Sequence, residues 1–258
     1  MHDREDHPLP STFDDADLYD LLLDNCDYGV EFYSRLAQEA HGPVLDVACG
    51  TGRILIPCLR AGVDIEGLDY SSAMLNQLRK KLPADRSPPR LTQSDMSRFQ
   101  LDRKFALIMI PFNAFGHNLT QEAQLNCLRT CREHLLPGGS LAFDGYFPSL
   151  EIIGAAQGTR VLEGEIPHRE SGRTLRMYDT RRFDRVNQIQ HSINEVEVLD
   201  AEGNLCERRR STSSIRWIYK GEMGLLLQLS GFRRWEISAD FAGTPLERES
   251  DGMVVRAW

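Results

Sequence analysis

A chain of 258 residues, 41% hydrophobic and 26% charged, has the composition of a globular protein with one large domain or a domain carrying an insertion. Its formal charge of −8 argues against nucleic acid as a partner, because a phosphate backbone demands an electropositive face. Apolar runs such as Phe105 to Phe112 are too short to cross a bilayer, and the polar start Met1 to Pro8 lacks the apolar core of a secretory signal, so the expected address is the cytoplasm.

Residues 1–16, with Pro8, Pro10 and several acids, are expected to form a flexible tail. Asp17 to Ala40 has helical apolar spacing (Leu18, Leu21, Leu22, then Val30, Tyr33, Leu36, Ala37), with a break between Asn25 and Gly29. The period then changes. Val44 to Ala48 reads as a buried parallel strand, followed by a helix over 53–60, a strand over 64–68, a helix over 71–82 and a strand over 90–93. A fourth strand spans 105–110. Thr120 is placed to cap the next helix, which is expected to run through Leu125, Leu128 and Leu135 until Pro137-Gly138-Gly139 ends it before a fifth strand over 140–145. Strands and helices alternating in this way predict an α/β fold, a doubly wound parallel sheet.

Residues 159–218 depart from that rhythm. Two-residue alternation over 174–183, 188–199 and 211–218, with turn residues at 201–204, predicts an antiparallel β insertion outside the core. Its arginines (Arg181, Arg182, Arg208 to Arg210) are nearly balanced by acids and are expected on a solvated face. From Lys220 the core resumes, with a helix over 225–229 capped by Gly231 and strands over 234–239 and 252–258. The core is therefore assigned to residues 17–158 and 219–258. The six cysteines (26, 49, 58, 127, 131, 206) form no metal-binding spacing and are expected to be reduced thiols; no metal is expected.

The chemistry concentrates in Asp46-Val47-Ala48-Cys49-Gly50-Thr51-Gly52-Arg53, at the end of the first strand. Two glycines one residue apart let the backbone pass close under a ligand, beside the free N–H groups of a helix start. Asp69, at the end of strand two, suits a carboxylate that accepts ribose hydroxyls. A dinucleotide fingerprint would need glycine where Leu55 stands, which counts against NAD.

The sequence resembles the class I S-adenosylmethionine-dependent methyltransferases over about residues 17–150 and again over 216–258. That resemblance implies a mostly parallel seven-stranded Rossmann-like sheet and S-adenosyl-L-methionine as cofactor. It places Asp46 near the methionine moiety, Gly50 and Gly52 in the glycine loop with Ala48 at the usual first glycine, and Arg53, Asp69 and Tyr70 around them. It assigns Asp95 to the adenine amino group and Met96 to the ring, and makes Ile110-Pro111-Phe112-Asn113 the substrate-facing loop, with Ile110 and Phe112 counted among the cofactor contacts. Within the family the chain is most similar to small-molecule enzymes such as the aminosugar N-methyltransferases. This implies that Tyr19-Asp20 closes over the cofactor and that the insertion serves substrate enclosure or dimerisation.

The expected function is methyl transfer by in-line displacement to a small-molecule acceptor, nitrogen being favoured over oxygen. Phe112, Asn113 and His117 lie on the acceptor side, and His117 is a proton acceptor by its ordinary pKa. A homodimer through 159–218 would cover Ile189, Ile193 and Trp217. Simpler roles stand beside these: helix caps for Asp46 and Asp69, a turn former at Asp95, packing for Tyr19 and Tyr33, an ordinary loop histidine at 117. The competing functions are a methyltransferase fold without catalysis and an NAD(P)-dependent oxidoreductase.

Overall fold

A computed structural model describes residues 9–23, 26–168, 172–248 and 252–258. The chain opens with α1 (Ala16–Leu23), α2 (Val30–Glu39), β1 (Val44–Val47), α3 (Leu55–Arg60), β2 (Ile65–Asp69), α4 (Ser72–Lys81), β3 (Leu91–Gln93) and β4 (Phe105–Ile110). It continues with α5 (Gln121–Glu133), β5 (Leu135–Gly145), α6 (Leu150–Gly154), β6 (Arg160–His168), β7 (Arg173–Asp184), β8 (Ile189–Leu199) and β9 (Leu205–Arg216). It closes with α7 (Lys220–Leu229), β10 (Trp235–Ser238) and β11 (Met253–Ala257).

Seven strands form one sheet in the order β10-β11-β5-β4-β1-β2-β3. The five from β3 to β5 run parallel, and β11 inserts antiparallel between β5 and β10. Helices cover both faces, as a sheet of fully buried parallel strands requires. On one face Tyr33, Leu36, Leu55, Cys58, Leu75 and Leu78 pack with Val44 and Leu107, bringing α2, α3 and α4 onto the sheet. On the other, Cys127 and Leu128 of α5 and Met223 and Leu227 of α7 pack with Leu45, Ile108, Phe143 and Val255. The close approach that a third loop glycine gives a dinucleotide fold is supplied here from the strand. A Cβ on Gly67 of β2 would lie 2.7 Å from the Leu55 side chain and 2.9 Å from Cys49 Sγ.

The remaining strands make a separate antiparallel sheet, β6-β7-β8-β9. One face is a charged lattice in which Arg160 and Arg208 pair with Glu195 and Glu197. Its opposite face carries Leu175, Val196 and Val198, against which α1 packs Leu18, Leu21 and Leu22. The arginines expected on a solvated face are in ion pairs: Arg181 with Asp179 and Glu163, Arg209 with Asp15 and Glu207, Arg210 with Glu195.

Four expectations are corrected. The helix after β4 ends at Glu133, so Leu135 and Pro137-Gly138-Gly139 belong to β5; Leu135 pairs with Phe105 before a bulge shifts the register. The insertion gains β6, whose alternation is broken by a bulge between Leu162 and Gly164. Residues 9–16 are docked and not a free tail, while 1–8 lie outside the described residues: Thr212 N–H donates to Pro10 O, Thr12 hydrogen-bonds Ser211, and Ala16 begins α1. Trp217 needs no second chain to cover it, being 2% exposed against Phe183, Ile153 and Tyr146.

Candidate functional site

The carboxyl ends of β1, β2, β4 and β5 lie side by side, and the loops leaving them form the site, as expected where a parallel sheet reverses its order. After β1 the backbone turns left-handed three times, at Ala48 (φ 57°), Gly50 (φ 53°) and Gly52 (φ 91°). Gly52 is sterically required, since a Cβ there would lie 2.3 Å from Leu78 Cδ1. Gly50 faces open space, with Tyr19 Cε1 the nearest atom to such a Cβ at 4.0 Å. Ala48 bears a left-handed strain of about 1 kcal/mol that glycine would avoid.

Asp46 is 1% exposed, and neither carboxylate oxygen has a hydrogen-bond partner. Burial pushes its pKa up to about 8, with Arg53 lowering it and Asp69 raising it. An unpaired buried carboxylate is costly unless a ligand completes it. Asp46 therefore does not cap a helix; it is a buried, unpartnered acceptor whose chemistry fits an ammonium group. Asp69 receives Gly50 N–H at 2.8 Å on one oxygen and Ser71 N–H at 2.8 Å on the other. Burial raises its pKa, and these backbone donors oppose the rise. The cap of α4 is Ser71, which accepts from Met74 N–H, so Asp69 instead ties the glycine loop to β2. Each Asp69 oxygen retains a lone pair for a ribose hydroxyl.

Tyr19 sits over the glycine loop from α1, and burial pushes its hydroxyl up to about 12. Tyr70 is 75% exposed at the rim. Arg53 donates to Tyr28 O at 2.6 Å, and its guanidinium lies 4.4 Å from the centre of the Phe112 ring. Asp95 Oδ1 is taken by the N–H and hydroxyl of Ser97, both at 2.8 Å, which is the turn-forming role; Oδ2 lies 3.4 Å from Arg98. Met96 Sδ receives the Asn118 amide at 3.1 Å. The Ile110 side chain is fully buried in the core, so only its backbone can face a ligand.

In the loop after β4, Phe112 (φ 63°) and Asn113 (φ 56°) are consecutive left-handed residues, a conformation costing roughly 1–2 kcal/mol per residue. They lead into a single turn, Ala114–His117. His117 Nδ1 lies 2.9 Å from Ser214 O on β9. A carbonyl only accepts, so Nδ1 carries the proton and, in the neutral ring, Nε2 presents a lone pair. Burial lowers the His117 pKa below its ordinary 6.5, keeping the ring neutral.

Sequence reasoning missed two contributors. Phe13 packs edge-on against His117 with ring centres 4.9 Å apart, and its carbonyl accepts the Ser71 hydroxyl at 2.8 Å. Asp144, at the end of β5, is fully buried and accepts from Phe112 and Asn113 N–H and from the Tyr33 hydroxyl. A lone acid closing the apolar run Leu141-Ala142-Phe143 was the available signal for it. Among the described residues no group of three or more His, Cys, Asp or Glu could hold a metal ion, and no helix is long and apolar enough to cross a membrane.

Residues 44–139 match the methyltransferase domain family. The chain is 35% identical over 141 residues to the dTDP-3-amino-3,4,6-trideoxy-alpha-D-glucopyranose N,N-dimethyltransferase of Streptomyces venezuelae, an alignment covering 52% of this chain and 58% of that one. The chain thus spans little more than half the length of that curated relative. A cypemycin N-terminal methyltransferase from a Streptomyces species is 25% identical over 253 residues, covering 95% of this chain and 97% of that one. The crystal structure of Streptomyces venezuelae DesVI superposes with a TM-score of 0.74 at 25% identity, covering 94% of this chain and 98% of that chain. A glycine loop closed by Asp69, an unpaired Asp46 beside it and this sheet order accompany the match of residues 44–139 to a methyltransferase domain.

Proposed function

We propose that this chain transfers a methyl group from S-adenosylmethionine to an amine nitrogen of a small-molecule acceptor. The observation that carries the reading is Asp46, whose two oxygens are buried and unpartnered beside the glycine loop. Asp46 holds the cofactor's ammonium, Asp69 its ribose, and Asp95 and Met96 its adenine, with Tyr19 closing from α1. Bound there, the cofactor supplies an electrophilic methyl on a sulfonium. The residues' work is orientation and exclusion of water, which is how a displacement without a covalent intermediate is accelerated. Phe112 and Asn113 flank the acceptor. Nε2 of His117 takes the proton that an ammonium must lose before its nitrogen can attack.

Nitrogen is favoured because the relatives named above act on amines: an amino group of a sugar in one case, a peptide N-terminus in the other. Residues 159–218 are read as an inserted unit that encloses the acceptor, with 17–158 and 219–258 as the core. A homodimer would use the outer strand β6, where Val161 and Leu162 are exposed, and sedimentation would reveal it.

The test offers labelled cofactor with two amines, dTDP-3-amino-3,4,6-trideoxy-alpha-D-glucopyranose and a short peptide with a free N-terminus. Label on either nitrogen supports the proposal. Cofactor binding without transfer to these or to any amine of a metabolite extract contradicts it, and favours a binding protein that has lost catalysis.

A further inference from the structure

We propose that Asp144 is a positioning residue for the acceptor side of the site, a role that rests on the methyltransferase reading above. The carboxylate is fully buried and takes part in no ion pair among the described residues. Every close partner is a neutral donor. Oδ1 accepts Phe112 N–H at 2.9 Å and the Tyr33 hydroxyl at 2.5 Å, and Oδ2 accepts Asn113 N–H at 2.6 Å. Burial raises the Asp144 pKa while these donors and the nearby Arg53 oppose the rise.

The two backbone donors belong to the consecutive left-handed residues of the β4 loop, at φ 63° and 56°. Neither is glycine, and a phenylalanine at positive φ is an outlier that its surroundings must impose. Converging two successive N–H groups on one anion is a backbone anion cradle, and here the anion is the protein's own side chain. The corner so fixed sets two things. It aims the Phe112 ring under Arg53 of the glycine loop and edge-on to Tyr28, with ring centres 5.8 Å apart. It also starts the turn to His117, since Asn113 O accepts Gly116 N–H at 3.0 Å. A buried charge with no cationic partner is a poor device for stability alone, because apolar residues of similar volume cost less. It is suited to holding a strained loop in one geometry. Through Tyr33 the same carboxylate ties that loop to α2, so α2 and the acceptor loop share one anchor.

The experiment is amide hydrogen exchange on the full chain, with S-adenosylhomocysteine titrated in parallel. Asp144→Asn keeps the volume but leaves one accepting oxygen. Exchange at 111–117 should then accelerate by about tenfold or more, the worth of one charge-assisted hydrogen bond. Protection of 105–110 and affinity for S-adenosylhomocysteine should hold within the error of the measurement. Asp144→Glu, which keeps both acceptors on a longer stem, should loosen the same segment less and serves if the asparagine variant does not fold. With an amine that supports turnover, kcat should fall at saturating cofactor while cofactor affinity holds. Unchanged exchange at 111–117 in a folded variant, or acceleration spread evenly over the chain, would overturn the assignment. The exchange arm needs no acceptor, so if no amine is methylated the proposed function fails while the role of Asp144 is still decided.

Discussion

Asp46 carries a tension that its neighbours do not relieve. A carboxylate whose pKa is pushed up to about 8 holds its proton in the folded chain at pH values where the unfolded chain has lost it. Its contribution to stability therefore declines as pH rises from the ordinary carboxylate range towards 8, and is constant above that. Asp46→Asn should remove this slope and raise the melting temperature of the ligand-free protein near pH 8, while weakening cofactor binding. In the parent protein, ammonium binding must ionise Asp46, so cofactor affinity should increase with pH up to about 8. Thermal unfolding and titration calorimetry at pH 6 and 8 check both signs. Asp69→Ala should cost about 1.5–3 kcal/mol of cofactor binding through lost charge-assisted hydrogen bonds. Unchanged affinity in a folded variant would reduce Asp69 to a loop tether. The motif residues were legible because a glycine loop constrains its own backbone and its acids follow at short range. Asp144 was not, because its partners Phe112 and Tyr33 lie 32 and 111 residues away in sequence.

The strands and helices of the core were legible from their period, and Thr120 caps α5 as its sequence suggests, accepting Ala123 N–H at 3.1 Å. Leu135 keeps a helical spacing from Leu128 yet joins β5, because pairing with Phe105 and the His134 ring override local pattern: His134 Nε2 accepts Leu101 N–H at 3.0 Å. In β6 a bulge shifts the pairing past Leu162, which hides the alternation that reveals a strand. Beside the joint through α1 and residues 9–15, another joint between the two sheets is made by Arg216 of β9. Buried to 4% exposure, it donates to Gln124 of α5 at 2.7 Å and Glu222 of α7 at 2.7 Å. Arg216→Ala should leave Glu222 and Gln124 without this partner and destabilise the fold by about 3–5 kcal/mol. Urea unfolding would measure it, and a loss within error would show that the joint rests on packing around Trp217 and Ile218 instead.

Taken together, the chain places a cofactor loop on the seven-stranded sheet and faces it with a second sheet that is joined to it through α1 and residues 9–15. Tyr19 and Phe13 lie in that joining segment, so the cofactor and acceptor sides are linked by the packing of Leu18 on Leu175, Val196 and Val198. Ligand binding should therefore stabilise both sheets as one unit. At about 100 times Kd the gain is expected to be about 2.7 kcal/mol, read as a single shifted unfolding transition. Two transitions, with only one moved by ligand, would show that the sheets unfold separately. Calorimetric titration with S-adenosylmethionine probes the cofactor site most directly. Saturable binding to one site per chain, weakened in Asp46→Asn, is expected. Absence of binding heat at millimolar cofactor, across several temperatures, would contradict it.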